Sequence, residues 1–167
     1  MKPTLATQPQ RPVTITVLGF VGRSWIDRFI MRLLGRPSHT VVQFNGNNDI
    51  LDVRPDFKLD WTIYGPSYLY WNAPVIRATY YDVPRHAVTK MLEWVEQHKG
   101  AKYDIRGAVG LVLPWFKNLS DSFYCSNMTA AFLHAGGLLP VLMTRISPRQ
   151  LFVTMKAISA AVITEPA

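Results

Sequence analysis

Cys125 is the only cysteine among 167 residues, and it opens an amphipathic run, Ser122-Phe-Tyr-Cys125-Ser-Asn-Met-Thr-Ala-Ala-Phe-Leu-His-Ala-Gly-Gly137. A thiol in the first turn of a helix meets unpaired backbone N–H groups and the positive end of the helix dipole. Both favour the thiolate, the nucleophilic form of the side chain. The same N–H groups can hold the oxyanion of a tetrahedral intermediate. The competing reading of a lone cysteine is a small buried hydrophobe. A catalytic reading requires a base within hydrogen-bond reach and a third group that fixes the tautomer of that base.

Four histidines are available. His134 follows Cys125 by nine residues, about half a turn round the same helix, and reads as an ordinary helix-end residue. His86 and His98 fall on a separate helical segment and read as surface residues. His39 differs, because it starts a β-rich run, His39-Thr-Val-Val-Gln-Phe44, which Asn45-Gly46-Asn47-Asn48 separates from a second, Asp49-Ile-Leu-Asp52-Val53. Asn-Gly between two such runs signals a hairpin. A turn that pairs Asn45 with Asn48 sets Val41 opposite Asp52, and His39 then shares a face with Asp52 on the diagonal. A three-residue turn shifts the pairing by one and sends Asp52 to the opposite face.

The elements that must position these groups are legible to different degrees. Residues 1–12 are polar, hold three prolines and read as a flexible arm ahead of a single domain over 13–167. Val13 to Phe20 alternates like a strand. Arg23 to Arg36 reads as a helix with Ile26, Phe29, Ile30 and Leu33 as its apolar face and Gly35 as its stop. Its other side carries Arg28, Arg32 and Arg36 at i, i+4 spacing, a solvated face or a contact for an anionic membrane surface. Residues 54–74 are rich in aromatics and prolines and read as a short strand with loops. Val75 to Tyr81 is a further strand, and Pro84 to Lys99 a helix closed by Gly100. Tyr103 to Leu113 reads as a short helix or ordered loop. The Cys125 helix presents Met128, Ala131, Phe132 and Ala135 as its stripe. Ser147-Pro148 punctuates the chain before Leu151 to Met155, and Ala160 to Thr164 reads as a last strand. This succession implies an α+β fold.

Lysine and arginine number 18 against 11 acidic residues, a formal charge of +7 that suits anionic partners. No glycine-rich phosphate loop and no RNA-binding motif accompanies the charge, so nucleic acid ranks last among such partners. A single cysteine excludes an intrachain disulfide, and no Cys/His cluster has zinc spacing, so neither metal nor cofactor is expected. The first residues lack the apolar core of a secretion signal, and later apolar stretches are too short to span a bilayer. The expectation is a soluble protein, cytoplasmic when made.

Gly35-Arg-Pro-Ser-His39-Thr-Val-Val-Gln-Phe44, Asp49-Ile-Leu-Asp52-Val, Lys102-Tyr-Asp104, Phe123-Tyr-Cys125-Ser-Asn-Met-Thr and Ser147-Pro-Arg-Gln-Leu151 together resemble the circularly permuted NlpC-type papain-like proteins. That superfamily holds bacterial cell-wall amidases and endopeptidases and the lecithin:retinol acyltransferase relatives. In the permuted order the histidine strand comes first, a polar or acidic residue follows on the next strand, and the cysteine helix comes late. The resemblance spans roughly residues 15–152 and implies a permuted papain-like fold, an antiparallel sheet packed against helices. It assigns Cys125 as nucleophile, His39 as base and Asp52 as orienting residue. Two positions depart from the pattern, since the family often has Glu where this chain has Asp52 and Asn127.

The implied chemistry is acyl transfer through a thioester. Tyr124, Ser126 and Tyr103 are candidates for the oxyanion site and pocket, with Trp115 a candidate groove wall, although buried aromatics more often serve packing. Three readings follow. The first is a cysteine amidase or endopeptidase on peptidoglycan peptides, delivered by lysis or as a phage tail-associated, virion-borne lysin. The second is a lipid-directed thiol acyltransferase or esterase. The third is a silent structural component of a larger virion assembly, bound to tail proteins.

Overall fold

The computed structural model describes residues 12–22, 25–54, 57–63, 74–113, 115–116 and 121–165. The proline-containing arm (but for Pro12), Pro114 and most of the aromatic stretch after Ile63 lie outside these residues. Strand β1 (Val13–Phe20) is buried along almost its whole length rather than on one face. Its position explains this, because β1 is interior to a six-stranded sheet of order β4-β3-β2-β1-β5-β8. The other strands are β2 (His39–Phe44), β3 (Asp49–Arg54), β4 (Phe57–Ile63), β5 (Ile76–Val83) and β8 (Val162–Thr164), and every neighbouring pair is antiparallel. A separate parallel pair joins β6 (Lys102–Tyr103) to β7 (Ser122–Phe123). With helices α1 (Trp25–Leu34), α2 (Arg85–His98), α3 (Ile105–Gly110), α4 (Cys125–Ala135) and α5 (Pro148–Ile158), the architecture is mixed α+β.

The β2–β3 hairpin has the expected register. Val42 faces Leu51 and Gln43 faces Ile50, which carries Val41 opposite Asp52. Asn45 and Gly46 both adopt positive φ, 49° and 65°, and Asn47 N donates to Phe44 O at 2.8 Å. These are the dihedrals that an Asn-Gly hairpin turn demands. The turn is also tied to β1, since Asn45 Oδ1 accepts from Thr14 N at 2.8 Å.

The main core lies between the sheet, α2, α4 and α5, with Val17, Val42, Leu51, Val88, Met91, Phe132, Leu151 and Met155 among its members. Phe44 meets Trp61 and Phe132 edge to face at centroid distances of 5.4 and 5.9 Å, so the hairpin, β4 and α4 lock through one aromatic chain. Met91 of α2 lies against Gly136 at the end of α4, where an added Cβ would sit 2.0 Å from Met91 Cε. A second cluster, Leu18, Phe20, Val41 and Ile50, fills in beside the His39 end of β2.

Three sequence expectations change. Ser147-Pro148 does not merely interrupt the chain: Ser147 caps α5, its Oγ accepting from Gln150 N at 3.2 Å, and Pro148 takes the first helical position. Phe29 and Leu33 do not form the inward face of α1. They are 41% and 49% exposed, while Ile30 is buried. His98, expected at the surface, is half-buried and stacks on Trp94 at 4.5 Å.

Candidate active site

Cys125 is the first residue of α4, behind Tyr124 in an extended conformation at the cap. The first helical bond runs from Met128 N to Tyr124 O at 3.0 Å, so the N–H groups of Cys125, Ser126 and Asn127 have no acceptor within the helix. Asn127, where the resembling family often carries Glu, is used locally. Its Oδ1 accepts from Tyr124 N at 2.8 Å, the reciprocal arm of a helix cap. Cys125 is 2% exposed, and its Sγ lies 3.9 Å from Ser38 O.

Ser38 is the residue before His39, and its backbone and hydroxyl anchor the start of β2. Ser38 N donates to Phe20 O at 2.9 Å, and Gly22 N donates to Ser38 Oγ at 2.8 Å. One residue past His39, Thr40 Oγ1 lies 3.1 Å from Thr129 Oγ1, and Thr129 Oγ1 donates to Cys125 O at 2.9 Å. A hydroxyl has one proton, so Thr40 is the donor to Thr129. This relay pins the start of β2 to the first turn of α4, flanking His39 and Cys125 on the side of both backbones.

His39 Nε2 lies 2.8 Å from Asp52 Oδ1, and the two residues are 4% and 0% exposed. The sulfur of Cys125 is the second partner of the ring. With Nε2 committed to Asp52, Nδ1 is the nitrogen left for the thiol. Burial by itself disfavours a charged imidazole, but the charges of Asp52 and Cys125 and their hydrogen bonds outweigh it, pushing His39 up to about 10. A charged imidazolium beside a sulfur is the setting in which cysteine works as a thiolate.

Asp52 Oδ2 faces Arg54 Nε at 3.2 Å, so the carboxylate is bracketed by two cationic groups. Arg54 did not figure in the sequence reading, although i, i+2 spacing on a strand is the signal that places it on the side of Asp52.

The remaining candidates separate. Tyr103 is partly buried on β6, and burial, then the charges of Cys125, Asp27 and Asp52, hold its phenol well above the usual range. Tyr124 faces elsewhere, since its hydroxyl donates to Thr144 O at 3.2 Å and accepts from Ile146 N at 3.0 Å. Burial pushes that phenol up. Ser126 Oγ donates to Ile146 O at 2.6 Å. Both side chains lash the 144–146 loop to the helix start. Trp115 is 71% exposed. Asp104 caps α3, accepting from Gly107 N at 2.7 Å, and His134 Nδ1 donates to Leu139 O at 3.0 Å.

Among the described residues, no group of three His, Cys, Asp or Glu side chains is placed to hold a metal ion, and no helix is long and apolar enough to cross a membrane. No protein-family model, curated protein or solved structure matches the chain.

Proposed function

We propose that this chain is a cysteine amidohydrolase or endopeptidase with a permuted papain-like fold, which cleaves peptide amides of peptidoglycan through a thioester. The observation that carries the reading is the placement of His39 between Asp52 and Cys125, with the cysteine on a helix start. The order of the three residues along the chain is the permuted one, and the six-stranded antiparallel sheet against helices is compatible with it. The charge of +7 suits an anionic wall.

In this mechanism the Cys125 thiolate attacks the amide carbonyl, a C–S bond forms, and backbone N–H groups at the start of α4 receive the oxyanion. The C–N bond breaks as His39 delivers its proton to the departing amine. Water then attacks the thioester, His39 takes the proton of that water, and the acid leaves with Cys125 restored as thiolate. Asp52 keeps the ring oriented throughout and stabilises its charged form.

The test is release of new amino groups from purified wall fragments by the parent protein, absent in Cys125→Ala and His39→Ala with folding preserved by circular dichroism. Turnover that survives Cys125→Ala defeats the proposal. Rapid alkylation of Cys125 by iodoacetamide near neutral pH, slowed in His39→Ala, is expected from the same pairing. A lipid-directed acyl transfer is the second reading, favoured by the outward apolar residues of α1. It is distinguished by turnover of phospholipid vesicles instead of wall fragments.

A further inference from the structure

Helix α1 turns its apolar ridge outward. Phe29 and Leu33, one turn apart, are 41% and 49% exposed, and among the described side chains of α1 only Ile30 is buried, at 5%. Arg28 and Arg32 are exposed at the neighbouring i, i+4 row, and Arg36 is exposed just beyond the helix end. A fourth arginine joins them, because exposed Arg149 of α5 lies over Gly35, where an added Cβ would stand 2.7 Å from its Nη1. Asp27 is the one acidic residue of α1, and its carboxylate is folded back against Gly22, 2.2 Å from where a Cβ would be. The outward surface is therefore an apolar ridge bordered by cations.

We infer that α1 is an interfacial helix that docks on an anionic lipid bilayer. A hydrated polyanion satisfies the arginines alone and leaves Phe29 and Leu33 in water. A bilayer of anionic lipid satisfies both rows, with the arginines at the headgroups and the two apolar side chains at the acyl boundary. Gly22, ahead of α1 in the chain, donates its N–H to Ser38 Oγ, and Ser38 O lies 3.9 Å from the Cys125 sulfur.

Co-sedimentation of the full chain with vesicles of phosphatidylcholine alone, and of phosphatidylcholine with phosphatidylglycerol, tests this. Binding is expected only with the anionic lipid, and it weakens as salt is added. Each arginine near such a leaflet carries about a fivefold factor in partitioning, so Arg28→Gln with Arg32→Gln lowers binding about 25-fold. Phe29→Ser with Leu33→Ser, which leaves the charge unchanged, lowers it about tenfold. All four positions are exposed, and circular dichroism checks that both variants remain folded. Cys125→Ala is expected to sediment as the parent does, so this contact stands or falls apart from catalysis. Absence of binding to anionic vesicles at low salt overturns the inference. Loss in the arginine variant with full binding by the Phe29/Leu33 variant also overturns it, in favour of adsorption to polyanions by charge alone.

Discussion

His39 Nε2 stands 2.8 Å from Asp52 Oδ1 in surroundings where neither side chain reaches water, at 4% and 0% exposure. An exposed pair of this kind contributes about 0–1 kcal/mol. Buried, the pair decides the state of both partners, because an unpaired charge there has no solvent to stabilise it. The hydrogen bond also selects the ring nitrogen that meets the sulfur. The orientation of the ring that faces Cys125 thus traces back to a carboxylate on the neighbouring strand.

Asp52→Asn keeps the shape of the side chain and removes its charge. The amide can still accept from Nε2, but it no longer supports an imidazolium. The expected result is a fall in kcat of about 10²- to 10⁴-fold on wall fragments, with a much smaller change in KM. Steady-state kinetics reads the split. A variant that keeps most of the parent kcat removes Asp52 from the orienting role.

The raised proton affinity of His39 makes stability depend on pH in a defined direction. Its value is 6.5 in the unfolded chain and about 10 in the fold. The folded state therefore binds the proton more tightly, and the stability this supplies is fully present below pH 6.5 and lost as pH rises through about 10. Urea unfolding of the parent and of His39→Gln across that interval should show the parent losing its margin over the variant. By NMR, the His39 ring should titrate lower in Cys125→Ala than in the parent, and lower again in Asp52→Asn, because Asp52 is the larger raising influence. A ring that titrates near 6.5 in the parent contradicts the pairing.

Arg54 and Asp52 form a partly buried ion pair, with the Arg54 side chain 23% exposed and that of Asp52 fully buried. Arg54→Met leaves one oxygen of a buried carboxylate without its cation. Removing one partner of a fully buried pair costs about 3–5 kcal/mol, and the exposure of Arg54 places the expected loss at the lower end. In the double variant with Asp52→Asn the arginine change should cost clearly less, and chemical denaturation of the four proteins measures that coupling. Equal costs in both backgrounds would show that Arg54 acts through packing alone.

The parts of the site that were legible in the sequence are those set by local chemistry. Asn45-Gly46 requires two positive φ angles, and that turn places Asp52 beside His39 across a few residues of chain. The cysteine helix announces itself by its stop at Gly136-Gly137, but its expected stripe is no single face, because every residue from Cys125 to Leu133 is buried. What stayed hidden depends on contacts between distant segments. Thr40 and Thr129 are 89 residues apart, and nothing in either local pattern indicates that they meet. Periodicity shows that α1 has an apolar stripe but carries no information about whether anything covers it, which is why Phe29 and Leu33 read as core. β6 and β7 are two residues each, too short for alternation to be visible. Arg54 carried a usable signal in its spacing from Asp52, but an arginine near the end of a strand ordinarily reads as solvated.

The Thr40–Thr129 relay separates positioning from stability. Thr129→Val deprives the buried Thr40 hydroxyl of its acceptor and should cost about 1–3 kcal/mol. Replacing both threonines by valine removes donor and acceptor together, and stability should return close to that of the parent. The start of β2 and the first turn of α4 then lose the hydrogen bonds that run through Thr129 to Cys125 O. Small displacements of a nucleophile from its base are costly, so kcat in the double variant should fall about 10- to 100-fold while KM changes little. Alkylation of Cys125 should slow in parallel, because the sulfur leaves its place beside His39. If the double variant is both as stable and as active as the parent, the relay serves only to fill the space between strand and helix.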